Sequence, residues 1–456
     1  MLYDDFIENK HIMANSFGFE PYPINSMLFD FQKDIVDWAL RKGRAAIFAD
    51  CGLGKTPMQL EWSDQVCRKT GGKVLILTPL SVGHQTIQEA EKFGIEAYRS
   101  HDGTAKTNIT ITNYERLHMF NEKDFVGVVC DESSILKNFN GVRRKDITEF
   151  MRKKKYRLLC TATASPNDYI ELGTSAEALG VMGYTDMLTK FFRNQQNSVD
   201  TKRYYTPVKW RFKKHAKKPF WQWVCSWARA LRRPSDMGYP DDGFILPPLK
   251  EKETVVPYTR QPRGELFVLP ARNLREQRQE RRETIDERCT KVADLLNQNS
   301  IAVAWCHLND ESKLLSNLIP DAKEITGSMS DDEKEEVFVD FYKGNVRVLV
   351  TKPKIGAFGL NWQHCHHMTF FPSHSYEQYY QAVRRCWRFG QKSPVTVDIV
   401  RSEGESAVMD NLRRKSKQAD EMFTHLVGFM NDAISIKQIV EHKKKARIPS
   451  WLLQTK

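Results

Sequence analysis

The stretch ADCGLGKT, Ala49 to Thr56, puts two glycines, a lysine and a hydroxyl within one short turn. The apolar run AAIFA leads into it, and the helical pattern PMQLEWSDQVCRK follows. Strand, glycine turn, Lys-Thr and helix is the setting of a phosphate-binding P-loop. Gly52 and Gly54 carry no Cβ, so backbone N–H groups can crowd around an anion. Lys55 then reaches the β- and γ-phosphates of a nucleotide, and the Thr56 hydroxyl can hold Mg²⁺. Ala49 stands where the strict pattern has Gly, so a chance glycine turn is the bland alternative.

Two further groups carry complementary chemistry. CDESS, Cys130 to Ser134, closes the apolar run GVVCD. A carboxylate at the C-terminal tip of a parallel strand faces the crevice where such sheets bind ligands. Asp131 would hold Mg²⁺, and Glu132 would orient and deprotonate an attacking water. An Asp-Glu pair alone reads as a solvated turn; its place after a buried run and beside a P-loop favours the chemical reading. In SYEQYYQAVRRCWRFGQ, Ser375 and Gln378 form a capping-box pattern that starts a helix. Gln381, Arg385 and Arg388 then share one face, at i, i+4 and i+7. Arginines there can reach across a cleft and stabilise charge on a transferred γ-phosphoryl group. The same face taken alone reads as a solvated basic helix.

These groups need rigid elements to meet. Short apolar runs alternate with helical patterns: AAIFA, KVLILT, GVVCD and RLLCT, then IAVAWC, RVLVT, HMTFF and VTVDIV. The runs are continuous, as parallel strands buried on both faces require. Two such series predict an α/β protein of two doubly wound lobes. A length of 456 residues suits two or three domains. The net charge of +12 suits a polyanionic partner, though a basic surface alone identifies none. Nine cysteines with no C-x-x-C pair read as reduced, mostly buried thiols. No apolar run approaches the ~18 residues of a membrane span, and MLYDDFIENK does not read as a signal peptide. The expectation is a soluble, cytoplasmic protein with no membrane partner.

Between the two series the composition shifts. From Thr201 to Ser235 there are eleven Lys or Arg, no Asp or Glu, and eight interleaved aromatics. Positive charge with aromatics suits nucleic acid, with Lys213, Lys214, Lys217 and Lys218 on phosphates. For the aromatics, a helical insertion whose tryptophans are core is an equal alternative. Pro247 and Pro248 mark an interdomain linker. HCHH, His364 to His367, invites a zinc reading, but adjacent ligands cannot all face one tetrahedral ion. RKKKYR, Arg152 to Arg157, reads equally as a solvated helix end or a DNA contact.

The ordered set of motifs resembles the Swi/Snf branch of the superfamily-two helicases, the ATPases that translocate on double-stranded DNA. The resemblance runs from about Leu28 to Lys417. LFDFQKDIVDW is similar to the adenine-reading Q motif, with Gln32 as the reader, and ADCGLGKT to motif I. LTPLSVGHQ is similar to motif Ia, TNYERL to the Thr-Tyr-Glu element, and TATASPND to motif III. DESSILKN resembles D-E-A-H-R-x-K-N, with Ser134 in place of the His whose position couples to motif III. WARALRRPSD and LPPLKEKE resemble the family's Leu-Arg-Arg helix and crossing segment. ITGSMS resembles motif IVa, KIGAFGLN motif V, and QAVRRCWRFGQ motif VI at each fixed position.

The resemblance implies two RecA-like lobes with a helical basic insertion between them. It divides the chain into lobe 1 at 1–185, the insertion at 186–246, lobe 2 at 247–405 and a helical segment at 406–456. It implies a DNA-stimulated ATPase using ATP and Mg²⁺, with double-stranded DNA as partner and a DNA-bound protein as a further target. Gln32 and Gly359 would touch nucleotide, and Thr78 and Lys354 would touch DNA. The lack of large flanking domains implies a minimal motor of the kind found in phages or bacteria, with a monomer the favoured state. Rival readings are a strand-separating DNA or RNA helicase and a non-hydrolysing DNA-binding scaffold.

Overall fold

The computed structural model describes residues 14–79, 82–137, 141–165, 168–194, 210–257, 274–297, 300–356 and 361–445. Gly359, Asn138, Tyr204 and Tyr205 lie outside the described residues. The first series of apolar runs forms β1 (Arg44–Ala49), β2 (Lys73–Thr78), β3 (Tyr98–Arg99), β4 (Ile109–Asn113), β5 (Phe125–Asp131) and β6 (Tyr156–Cys160). A two-stranded antiparallel ribbon follows, β7 (Phe192–Asn194) with β8 (Trp210–Phe212). The chain then returns to the first sheet as β9 (Ala228–Leu231). That sheet has seven strands in the order β3-β4-β2-β5-β6-β1-β9, every pairing parallel.

The second series forms β10 (Leu249–Val256), β11 (Ala302–Trp305), β12 (Ala322–Glu324), β13 (Val348–Thr351), β14 (His367–Phe370) and β15 (Val395–Ser402). Its six strands run β10-β15-β14-β11-β13-β12, again all parallel. Both sheets are of the doubly wound kind. Helices cover both faces, which is why strands such as β1 and β2 are apolar and buried without alternation. The edge strand β10, LKEKETVV, is mostly exposed and charged, which discourages pairing with another chain.

The stretch 186–246 does not form a separate insertion throughout. Ala228–Leu231 is the edge strand of the first sheet, paired to β1 from Ala46 to Ala49. Four residues, ARAL, within a basic segment give almost no strand signal. The helix Lys217–Cys225 buries Phe220, Trp221, Trp223 and Val224 in the lobe 1 core, with Trp227 beside them. The tryptophans are therefore core, and the packing explains them: Trp223 lies 5.4 Å from Phe191 and 5.5 Å from Trp227 between ring centroids. The basic run Arg152 to Arg157 is likewise structural at its end. The Arg157 guanidinium is buried and donates to the carbonyls of Lys154 at 2.8 Å, Arg152 at 2.6 Å and Ala178 at 3.2 Å.

A forty-residue helix, Ser406–Lys445, leaves lobe 2 and returns to lobe 1. Met422, Phe423, Leu426 and Met430 enter the same lobe 1 core as the tryptophans. Arg232 pairs with Asp420 at 2.8 Å, and Trp221 stacks on His425 at 5.7 Å. All nine cysteines are free thiols and eight are buried. Among the described residues no helix is long and apolar enough to cross a membrane, and no cluster of His, Cys, Asp or Glu is placed to hold a metal. His367 instead shares a hydrogen bond with Asp398 at 2.8 Å.

Burial predicts what the tryptophans do. Trp223→Ala should lower unfolding free energy by about 3–5 kcal/mol, as deletion of a buried aromatic does. Chemical denaturation measures this. An unchanged midpoint with weakened DNA binding would return Trp223 to the stacking role.

Candidate active site at the seam between the lobes

β1 ends at Ala49, and the chain turns through Gly52 (φ 91) and Gly54 (φ 73) into the helix Lys55–Thr70. Both φ values lie in the left-handed region that glycine enters without strain. A Cβ on Gly54 would stand 2.3 Å from Gln32 Nε2, and one on Gly52 would stand 2.9 Å from Phe389 of lobe 2. Gln32 is buried against this turn. Its Nε2 donates to the Leu53 carbonyl at 2.9 Å, and its Oε1 accepts from Phe29 N at 3.0 Å. Lys55 Nζ donates to the carbonyls of Ala49 at 2.9 Å and Asp50 at 3.3 Å. The ammonium is thus held inside the loop, at the N-terminus of a helix whose dipole favours an anion.

β5 delivers the carboxylates. Asp131 is buried at its tip, and its Oδ1 accepts from Gln59 Nε2 at 2.7 Å. Burial pushes its carboxyl up to about 6, partly opposed by the Gln59 bond and raised further by Glu132. The Tyr114 hydroxyl donates to the Asp131 carbonyl and fixes the end of the strand. Glu132 has φ 54, a left-handed conformation that costs a residue with a Cβ roughly 1–2 kcal/mol. The turn aims its side chain at β6. Glu132 Oε1 accepts from Thr161 Oγ1 at 2.6 Å, Ser134 Oγ at 2.9 Å and Thr163 Oγ1 at 3.4 Å. Ser134 replaces the expected His, yet motifs II and III remain joined, through the Glu132 carboxylate itself.

Lobe 2 brings the helix Tyr376–Val383, capped by Ser375 Oγ, which accepts from Gln378 N at 3.3 Å. Just past its end the Arg384 guanidinium forms an ion pair with Asp50 and donates to the Cys51 carbonyl at 3.1 Å. The Tyr380 hydroxyl donates to the other Asp50 oxygen. Burial works against the Arg384 charge, but Asp50 more than compensates and raises it above its ordinary value. The spacing argument overlooks Arg384 and Tyr380; the signal was Asp50, an acid inside a P-loop that needs a cation. Arg385 is buried with its Nε donating to the Gln381 carbonyl at 3.1 Å. Burial lowers Arg385, while Cys51 and Glu132 act to hold its charge. Arg388 is lowered by burial and then by Arg385 beside it. Gln381 is 2% exposed, and both of its side-chain amide atoms lack a hydrogen-bond partner.

Four phenylalanines flank the turn. Phe29 and Phe31 of lobe 1 meet Phe244 of the linker at 5.1 and 5.4 Å, and Phe244 meets Phe389 of lobe 2 at 4.9 Å. On another side of the seam Lys137 pairs with Glu377. Beside that pair opens a cleft of about 1170 Å³ whose walls include Arg99 and Lys92 of lobe 1 and Lys334, Tyr342 and Lys354 of lobe 2. Lys354 is exposed there. Thr78 is not brought to the wall: it is 1% exposed, with its hydroxyl on the Thr112 carbonyl at 3.4 Å, because it ends a central strand. Lys213, Lys214, Lys217 and Lys218 are exposed around the start of the helix Lys217–Cys225 and do not line this cleft.

Comparison with known proteins follows this geometry. Residues 287–390 match the family model of the helicase conserved C-terminal domain. The DNA annealing helicase and endonuclease ZRANB3 of Bos taurus is 27% identical over 180 residues, 35% of this chain and 17% of that protein. Its Mus musculus counterpart is 28% identical over the same length. The chain thus aligns with about a sixth of the curated relatives it matches, 17% of their length. Among solved structures, a Sulfolobus solfataricus SWI2/SNF2 ATPase core in complex with dsDNA matches at 18% identity and a TM-score of 0.41, covering 91% of this chain and 96% of that one.

The raised Asp131 carboxyl sets a stability prediction. The folded chain holds the proton up to about pH 6 and the unfolded chain releases it near 3.8. Stability therefore falls as pH rises between those values, to a full cost of roughly 3 kcal/mol above pH 6. Asp131→Asn keeps the acceptor for Gln59 and removes the charge. In metal-free protein it should raise the melting temperature at pH 8, an advantage that fades as pH falls toward 4. An equal gain at both pH values would place its origin elsewhere.

Proposed function

We propose that this chain, which carries a superfamily-two helicase core, is an ATP-driven motor acting on DNA. The observation that carries the reading is the seam. The P-loop, the Asp131-Glu132 pair and the arginines of lobe 2 converge there, and Arg384 and Tyr380 of lobe 2 grip Asp50 of the P-loop. Hydrolysis of a bound nucleotide would then depend on, and drive, how the lobes meet.

The residues present fit ATP and Mg²⁺. A Cβ at Gly52 or Gly54 would strain the turn, and Gln381 holds two unsatisfied amide atoms beside the arginines. Lys55, released from its loop carbonyls, would bind the β- and γ-phosphates, and Gln32 with the phenylalanines would hold the base. Asp131 and Thr56 would hold the metal, since Mg²⁺ takes one or two protein oxygens and completes its shell with phosphate and water. When bound, the ion neutralises charge on the β- and γ-oxygens. Glu132, held on one oxygen by three hydroxyls, presents the other toward an attacking water and accepts its proton. Arg385 and Arg388 would stabilise the charge that develops on the transferred group, which also relieves their mutual repulsion.

DNA as the track is supported by the net charge of +12, by the cationic cleft and by the DNA-acting relatives. Movement along duplex DNA without strand separation is the finer reading. Lys354 and the exposed lysines from Lys213 to Lys218 are its candidate phosphate contacts.

Three substitutions separate the roles. Lys55→Ala should weaken nucleotide binding and turnover together. Glu132→Gln should still bind ATP while turnover falls about 10²–10⁴-fold, as loss of a general base does. Arg388→Ala should lower DNA-stimulated turnover by ~10³ or more with DNA affinity little changed. Steady-state ATPase assays with duplex DNA, single strands and RNA, paired with nucleotide and DNA binding, read all three. Near-normal turnover in Glu132→Gln would sink the assigned role. A parallel fall in DNA affinity in Arg388→Ala would make that arginine part of a binding face.

A further inference from the structure

The helix Asp331–Lys343 forms part of the lobe 2 wall of the large cleft. Phe338 and Phe341 anchor it. Phe338 packs on Trp362 at 5.9 Å, and Phe341 lies 5.2 Å from Trp362 and 5.0 Å from His364. With that pair turned inward at i and i+3, Val339 and Tyr342 are turned outward at the same spacing. Val339 is 42% exposed and Tyr342 is 62% exposed, and both line the cleft. The Tyr342 ring is braced edge-on by His364, at 6.0 Å and 84°.

The surroundings select the ligand. The cleft lining carries seven Lys or Arg against four Glu. Two pairs cancel within the lining, Glu115 with Arg143 at 2.9 Å and Glu377 with Lys137, which leaves five cations against Glu89 and Glu132. Lys343 adjoins Tyr342, Lys354 stands on the same wall, and Lys92 and Arg99 face them from lobe 1. A single exposed aromatic is ordinary on a protein surface. Two apolar side chains on one rigid helix face, inside a cationic cleft, match the arrangement that holds an unpaired strand: phosphates on the cations, a base on the ring. Paired DNA hides its base faces in the stack and offers only groove edges, which an aromatic face reads poorly.

We propose that this cleft takes a single strand of DNA with unpaired bases, such as the displaced strand at a junction, and that Tyr342 stacks on one of them with Val339 as an apolar wedge. The proposal rests on the DNA-motor reading and adds a site for capture of an unpaired strand to it.

The test uses the full chain and a fluorescein-labelled oligothymidylate of roughly 16 nucleotides, the upper end of common single-strand site sizes. A blunt duplex and a forked duplex serve as comparison probes. Anisotropy titrations should show Tyr342→Ala weakening single-strand and fork binding by about 5- to 150-fold, the range of one lost base stack. Tyr342→Phe should bind like the wild type, because it keeps the ring. Melting temperature should not change in either variant, and blunt-duplex affinity should fall less than single-strand affinity. Undiminished single-strand binding by Tyr342→Ala would overturn the proposal, as would an equal loss on blunt duplex. A wild-type chain with no DNA-dependent turnover would instead overturn the motor reading, whatever the stacking result.

Discussion

The arrangement of the site depends on one half-buried charge that the two lobes share. Asp50 sits in the P-loop with 13% of its side chain exposed, and its carboxylate is met by Arg384 and Tyr380 from lobe 2. Arg384 itself is 4% exposed at its side chain. Breaking such a pair by removing one partner strands a charge away from water, at a cost of about 3–5 kcal/mol. Separating the lobes is a different event, because water can then reach both ions. The contact is therefore a latch: strong when the seam is dry, weak once it is wetted. Everything else at the seam inherits its geometry from that closure, including the approach of Phe389 to Gly52 and the placing of Arg385 near Glu132.

Within lobe 1 the constraint is strain held by hydroxyls. Glu132 adopts a left-handed backbone that its Cβ disfavours, and three hydroxyls from Thr161, Thr163 and Ser134 hold its carboxylate there. A carboxylate bound this firmly on one oxygen loses little freedom when the other engages water, which is the preorganisation that the proposed general base needs. Asp131, one residue earlier, has the opposite character. It is buried with a single side-chain donor, Gln59, and stays costly until a cation arrives. Adjacent carboxylates thus sit in opposite surroundings.

Much of the nucleotide side was legible in the sequence, because its residue types are forced by geometry. Glycine at Gly52 and Gly54, lysine at Lys55 and acids at the tip of a buried run have few substitutes. The two parallel sheets were legible for a similar reason, since continuous apolar runs have no other home. Arg384 was not legible, because the helix-face rule selects Gln381, Arg385 and Arg388 and skips a residue just beyond the helix end. Thr78 sits inside a motif whose neighbour Pro79 reaches the cleft, and strand pleating decides which of the two is exposed. Composition could not tell stacking tryptophans from core ones. Trp221 and Trp223 are buried because a helix from lobe 2, distant in sequence, helps to cover them.

That returning helix also ties the lobes to the chemistry. Met422, on Ser406–Lys445, accepts from Ser165 Oγ at 3.0 Å. Ser165 lies two residues beyond Thr163, whose hydroxyl reaches Glu132. On the same helix Asp420 pairs with Arg232, which follows the edge strand beside β1. A covalent extension of lobe 2 is therefore packed into lobe 1 next to motif III and next to the strand that carries the P-loop. Opening of the seam cannot be a free separation of two bodies. Parting the lobes requires this helix to bend or to break its contacts at Ser165 and Arg232.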